Sequence, residues 1–127
     1  MEVELQYKLI CDDAGKPLIG GKNYKFHLPS NIPSMSFWSV IVYDNQTNLI
    51  IKTDQPWPSV FSSSKKLLVN PDGSVDAYFG PEAPVKNENN WVKTNPGKGW
   101  YMILRLYSPP EHWSDENWKP NDIEEVK

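Results

Sequence analysis

Phe37-Trp38-Ser39-Val40-Ile41-Val42-Tyr43 is a run of aromatic and β-branched residues, the types that fit a pleated, half-buried surface. Trp38, Val40 and Val42 recur at period two, so they share a face and belong in a core. Asp44-Asn45-Gln46-Thr47-Asn48 follows as a turn, and Leu49-Ile50-Ile51-Lys52 reads as the returning strand of a hairpin.

Working outward, Val3-Glu4-Leu5-Gln6-Tyr7-Lys8-Leu9 alternates apolar and polar, the pattern of a half-buried strand, and Asp12-Asp13-Ala14-Gly15 is a turn cluster behind it. Tyr24-Lys25-Phe26-His27-Leu28 alternates again and stops at Pro29. Asn70-Pro71-Asp72-Gly73 has proline placed for a tight turn and a glycine able to take positive φ. It predicts a second hairpin between residues 66–69 and 74–79. Trp100-Tyr101-Met102-Ile103-Leu104-Arg105-Leu106-Tyr107 is apolar on both faces and therefore reads as a central strand. Residues 53–66 and 80–99, rich in Pro, Ser, Asn and Gly, read as long loops. Pro109-Pro110-Glu111 opens a short C-terminal helical segment, and the charged tail 119–127 reads as extended or frayed.

Twelve prolines interrupt the 127 residues so often that no long amphipathic helix fits between them. Short strands and turns leave one all-β domain over residues 1–127, an antiparallel β-sandwich with a jelly-roll order as one possibility. Thirteen Lys and Arg against sixteen Asp and Glu give a net charge of −3 with no basic block, which argues against nucleic-acid binding by phosphate neutralisation. No run approaches the ~18 apolar residues of a membrane span. The first residues carry neither a positive nor an apolar signal-peptide region, so no signal peptide is visible and a soluble protein is expected. Cys11 is the single cysteine, which excludes an intrachain disulfide and a cysteine-based zinc site.

Several landmarks then fall in one order: Asp13-Ala14-Gly15-Lys16-Pro17-Leu18, Asn23-Tyr24-Lys25-Phe26-His27-Leu28-Pro29, Phe37-Trp38-Ser39 closing on Tyr43-Asp44, Asn70-Pro71-Asp72-Gly73-Ser74, Asn90-Trp91, Leu104-Arg105-Leu106-Tyr107-Ser108-Pro109 and Trp118-Lys119-Pro120. In these the chain resembles the domain of unknown function 1214 family over about residues 7–126. The resemblance implies a jelly-roll-like sandwich and no established activity. It also implies a companion, because this domain usually follows the domain of unknown function 1254. A standalone domain or a separate partner domain is therefore expected. The segment Gln55-Pro56-Trp57-Pro58-Ser59-Val60-Phe61 departs from the family pattern.

The candidate chemistry is sparse. His27 and His112 lack metal-ligand spacing, so no metal and no cofactor are expected. Ser62-Ser63-Ser64 lacks a nucleophile elbow, and the acidic neighbours of Cys11 suppress its thiolate. Arg105 is the only arginine, placed mid-strand. It either pairs structurally with Asp76 or Asp44 or joins them in clamping a substrate anion. Trp57 and Trp91, with Asn87, Asn89 and Asn90, are loop residues able to stack on a sugar face and bond its hydroxyls. Alternatively each tryptophan, Trp113 and Trp118 included, folds back to plug an open end of the sandwich. The strand in 1–10 could pair with a second copy to form a homo-oligomer.

Two function classes remain. One is a non-catalytic binding or assembly module for a carbohydrate-like or small polar ligand, held by Trp57, Trp91, Asn90 and Arg105. The other is a small hydrolase or lyase acting on a sugar-derived or small polar substrate, with Arg105, Asp76 and Asp44 at its site.

Overall fold

The computed structural model describes residues 4–32, 37–107 and 120–126. Its strands are β1 (Glu4–Leu9), β2 (Asn23–Leu28), β3 (Phe37–Asp44), β4 (Ser59–Phe61), β5 (Val75–Gly80), β6 (Trp91–Lys93), β7 (Trp100–Tyr107) and β8 (Ile123–Val126). A three-residue 3₁₀ turn, Glu88–Asn90, precedes β6. The protein is all-β, with two four-stranded sheets in the orders β1-β7-β3-β4 and β6-β5-β2-β8. All pairings are antiparallel except β5 with β6.

The alternation that predicts the strands also sorts their faces. Trp38, Val40 and Val42 of β3 are buried with Trp100, Met102, Leu104 and Leu106 of β7, and with Tyr24, Phe26 and Leu28 of β2 and Val75, Ala77 and Phe79 of β5. One apolar cluster therefore draws on both sheets. β7 lies between β1 and β3, as its apolar character on both faces requires.

The short strands depart from expectation. The hairpin return at residues 49–52 makes only an isolated bridge from Ile50 to Tyr43. The strand that pairs along β3 is instead β4, inside the expected loop 53–66. Residues 66–69 form no strand, because the Asn90 side chain takes both the amide and the carbonyl of Leu68. β6 lies inside the expected loop 80–99 and runs parallel to β5. The charged tail supplies β8, anchored by fully buried Ile123 and paired with β2. The two glycine-bearing turns form as read, with Gly15 and Gly73 at φ of 79° and 90°. The expected C-terminal helical segment, His112, Trp113 and Trp118 lie outside the described residues.

Candidate functional site

The face of the sheet β6-β5-β2-β8 turned away from the core carries the most chemistry. Residues opposed across paired strands share a face, and β2 and β5 oppose His27 to Asp76 and Lys25 to Tyr78. Tyr78 is opposed in turn to Trp91 of β6, and Lys25 to Glu124 of β8. His27, Asp76, Lys25, Tyr78, Trp91 and Glu124 therefore stand on one surface.

At one end of this surface His27 Nδ1 lies 2.6 Å from Asp76 Oδ1. The other carboxylate oxygen accepts from Asn70 Nδ2 at 3.1 Å and has the Lys25 ammonium at 4.0 Å. Asn70 also bonds Ser74 Oγ, whose hydroxyl donates to Asp72. That bond, joined by the Ser74 amide, holds the Asp72 carboxyl below its usual range. The side chains of Asp76 and His27 are 17% and 34% exposed, so the pair is sheltered while the ring still meets solvent.

At the other end is a cleft of about 300 Å³ whose lining includes Asn23, Tyr78, Glu82, Pro84, Val85 and Trp91. Trp91 Nε1 donates to the Gly80 carbonyl at 3.0 Å, which fixes the ring in the wall. A side chain at Gly80 would collide with that of Asn23, so the glycine admits Asn23. Trp57 is 72% exposed. Its loop is fastened to β6 by Gln55, whose side chain bonds the Trp91 carbonyl and the Lys93 amide.

The residues singled out from sequence do not converge. Asn90 is 2% exposed and spends its amide on Leu68 and the Asp76 carbonyl, so it is a strut beneath the site. Arg105 lies on β7 in the other sheet and donates to the Tyr43 hydroxyl at 3.0 Å. Asp76 pairs with His27 and Lys25 instead. Asp44 caps its own turn through the amides of Gln46 and Thr47, which lower its pKa, the Gln46 bond most. The expected Arg–carboxylate pair is thus replaced by two separate arrangements. His27 takes the outward position that the alternation of its strand implies, and its partner, 49 residues away, is supplied only by the pairing of β2 with β5. Among the described residues, no group of three or more His, Cys, Asp or Glu side chains could hold a metal ion. No helix among them is long and apolar enough to cross a membrane.

Residues 4–111 match the model of the family described as Protein of unknown function (DUF1214), and the chain belongs to that family. It is similar to the VPA0106 protein from Vibrio parahaemolyticus, with 25% identity and a TM-score of 0.81 over 98% of this chain and 31% of that one. An uncharacterized protein from Burkholderia cenocepacia is similar in fold, with 16% identity and a TM-score of 0.51 over 98% of this chain and 29% of that one. The chain thus spans about a third of the length of these two proteins. No curated protein matches it.

Proposed function

We propose that the chain is a non-catalytic binding module of the jelly-roll sandwich kind, taking a carbohydrate-like or small polar ligand in the cleft beside Trp91 and Tyr78. The observation that carries this reading is the cleft itself. Two aromatic side chains from neighbouring strands adjoin an amide and a carboxylate, Asn23 and Glu82, in a volume of about 300 Å³. Such a wall offers apolar contact for a ring face and polar groups to orient hydroxyls. Trp57, on a loop tied to β6, is a further aromatic available to a larger ligand.

Against the enzyme alternative stands the placement of Arg105 and Asp76 in different sheets. Assembly with a companion domain or a second copy is compatible with the cleft. The companion-domain form draws support from this chain spanning 31% of the Vibrio parahaemolyticus protein it resembles. Titration of the isotope-labelled protein with glucose, glucosamine, glucuronate and glycerol tests the ligand reading. Saturable shifts of the Trp91 and Tyr78 side-chain signals, lost in Trp91→Ala, are expected. A panel that leaves both signals unmoved would overturn it.

A further inference from the structure

We infer that His27, oriented by Asp76, is a hydrogen-bond acceptor for a ligand hydroxyl, and that the ligand site extends from the cleft along the sheet to this ring. The inference rests on the cleft reading above and adds the group that selects the ligand's chemistry.

A carboxylate only accepts hydrogen bonds, so the 2.6 Å contact with Asp76 Oδ1 places a hydrogen on His27 Nδ1. In the neutral ring Nε2 is then a lone-pair acceptor, the less common tautomer, selected here by the partner. Among the described residues no hydrogen bond engages Nε2, and the side chain is 34% exposed. Asp76 cannot readily turn away. Asn70 holds its second oxygen, Asn90 holds its carbonyl, and Lys25 stands 4.0 Å from Oδ2. A series of side chains running back through Asn70 and Ser74 to Asp72 thus aims one imidazole outward. A surface histidine needs no such support merely to be solvated, whereas a binding group must be held in place by its neighbours.

The distance fits one small ligand. Asp76 and Tyr78 are two residues apart on the same face of β5, about 7 Å at the strand rise. Tyr78 lines the cleft and Asp76 holds the histidine. A polyhydroxylated molecule of one or two rings, its face against Tyr78 and Trp91, reaches Nε2 with a hydroxyl. Such a hydroxyl donates to Nε2 and can accept from Lys25, which stands opposite Tyr78 between the two ends.

The first measurement is the ring-nitrogen spectrum of His27 in the unmodified protein at a pH where the ring is neutral. A protonated Nδ1 and bare Nε2 are expected, with the balance shifting towards Nε2–H in Asp76→Asn. A predominantly Nε2–H ring in the unmodified protein overturns the inference without touching the cleft reading. The second measurement titrates glucose, glucosamine, glucuronate and glycerol while following Nε2, Tyr78 and Trp91 together. Joint movement supports the extended site, and His27→Phe should then weaken binding about fivefold, the worth of one hydrogen bond. Movement of Tyr78 and Trp91 with Nε2 still overturns the inference and leaves the cleft standing. A panel that moves none of them overturns both.

Discussion

The two sheets turn opposite chemistries away from their shared core. On β1-β7-β3-β4 the outward residues include a set of paired aromatic rings. Phe37 lies 5.6 Å from Tyr107 and 6.4 Å from Phe61, and Tyr43 stacks on Tyr101 at 5.3 Å. Both cations there are engaged with rings: the Lys8 ammonium sits 4.7 Å from the Tyr101 centroid, and Arg105 donates to the Tyr43 hydroxyl. On β6-β5-β2-β8 the outward residues are instead Lys25, His27, Asp76 and Glu124, with Tyr78 and Trp91 at one edge. Both surfaces come from the same period-two alternation. Alternation decides which residues enter the core, but the side chains left outside decide whether a face stabilises the fold or meets a ligand. Ring pairs of the first kind contribute about 0.5–1.5 kcal/mol each beyond their burial. A His–Asp pair on the second kind is an investment in orientation.

The sharpest way to break this contrast is beneath the second face. Asn90 makes three hydrogen bonds to the backbone of Leu68 and Asp76 while 2% exposed. Asn90→Ala leaves those groups without their partner, at about 1–3 kcal/mol for a buried polar group left unsatisfied. We expect a total loss of roughly 3 kcal/mol in urea unfolding, the largest effect of the set. A neutral outcome would show that the strut is dispensable and return Asn90 to the ligand-binding candidates.

Asp76→Ala comes next. It removes the acceptor of the 2.6 Å bond and leaves His27 and Asn70 without it. Both side chains reach solvent and rehydrate in part, so the expected loss is about 1–2 kcal/mol. The tautomer of His27 should shift as well. On the first face Tyr43→Phe deletes one hydroxyl at 3.0 Å from Arg105 while keeping the ring on Tyr101. We expect about 1 kcal/mol or less and no change in any response to sugars. If Tyr43→Phe abolished a ligand response that Asp76→Ala spared, the roles assigned to the two faces would have to be exchanged.

Much of this architecture was legible in the residues, for reasons visible in particular strands. β1, β2, β3 and β5 carry their own signal in six to eight residues of period-two patterning, and β7 in eight residues apolar on both faces. β4 and β6 are three residues each, and their extended state comes from β3 and β5 beside them. β8 hides in an acidic tail because one residue, Ile123, anchors it. The strand signal at residues 66–69 lost to a side chain 22 positions along, since Asn90 occupies the Leu68 amide and carbonyl. The site was half legible for the same reason. Asp76 stands out as a carboxylate in an apolar strand, but only strand register tells it to face His27 rather than Arg105. Asn23 and Glu82 carry no pattern at all, and the cleft assembles them from separate segments.

The smallest expected effect sharpens the comparison within the charged face itself. Asp54 and Asp72 both titrate below the ordinary carboxylate range, for different reasons. Asp54 is lowered by the hydrogen bond and charge of Lys93, 2.9 Å away on an exposed flank. Asp72 is lowered chiefly by the Ser74 hydroxyl and amide, with the charge of His27 the least of its causes. For both groups the folded pKa is depressed. Each therefore contributes stability that is present above its unfolded pKa, about 4, and is lost as pH falls through the folded value. The two contributions part in salt. An exposed ion pair is screened at high ionic strength, whereas a neutral hydroxyl donor within bonding distance is not. Carboxyl titration followed by NMR at low and high salt should move Asp54 back towards its ordinary value and leave Asp72 depressed. Equal salt sensitivity at the two sites would mean that Asp72 is held by charge. The chain of hydrogen bonds from Asp72 through Ser74 and Asn70 to Asp76 would then lose its first member.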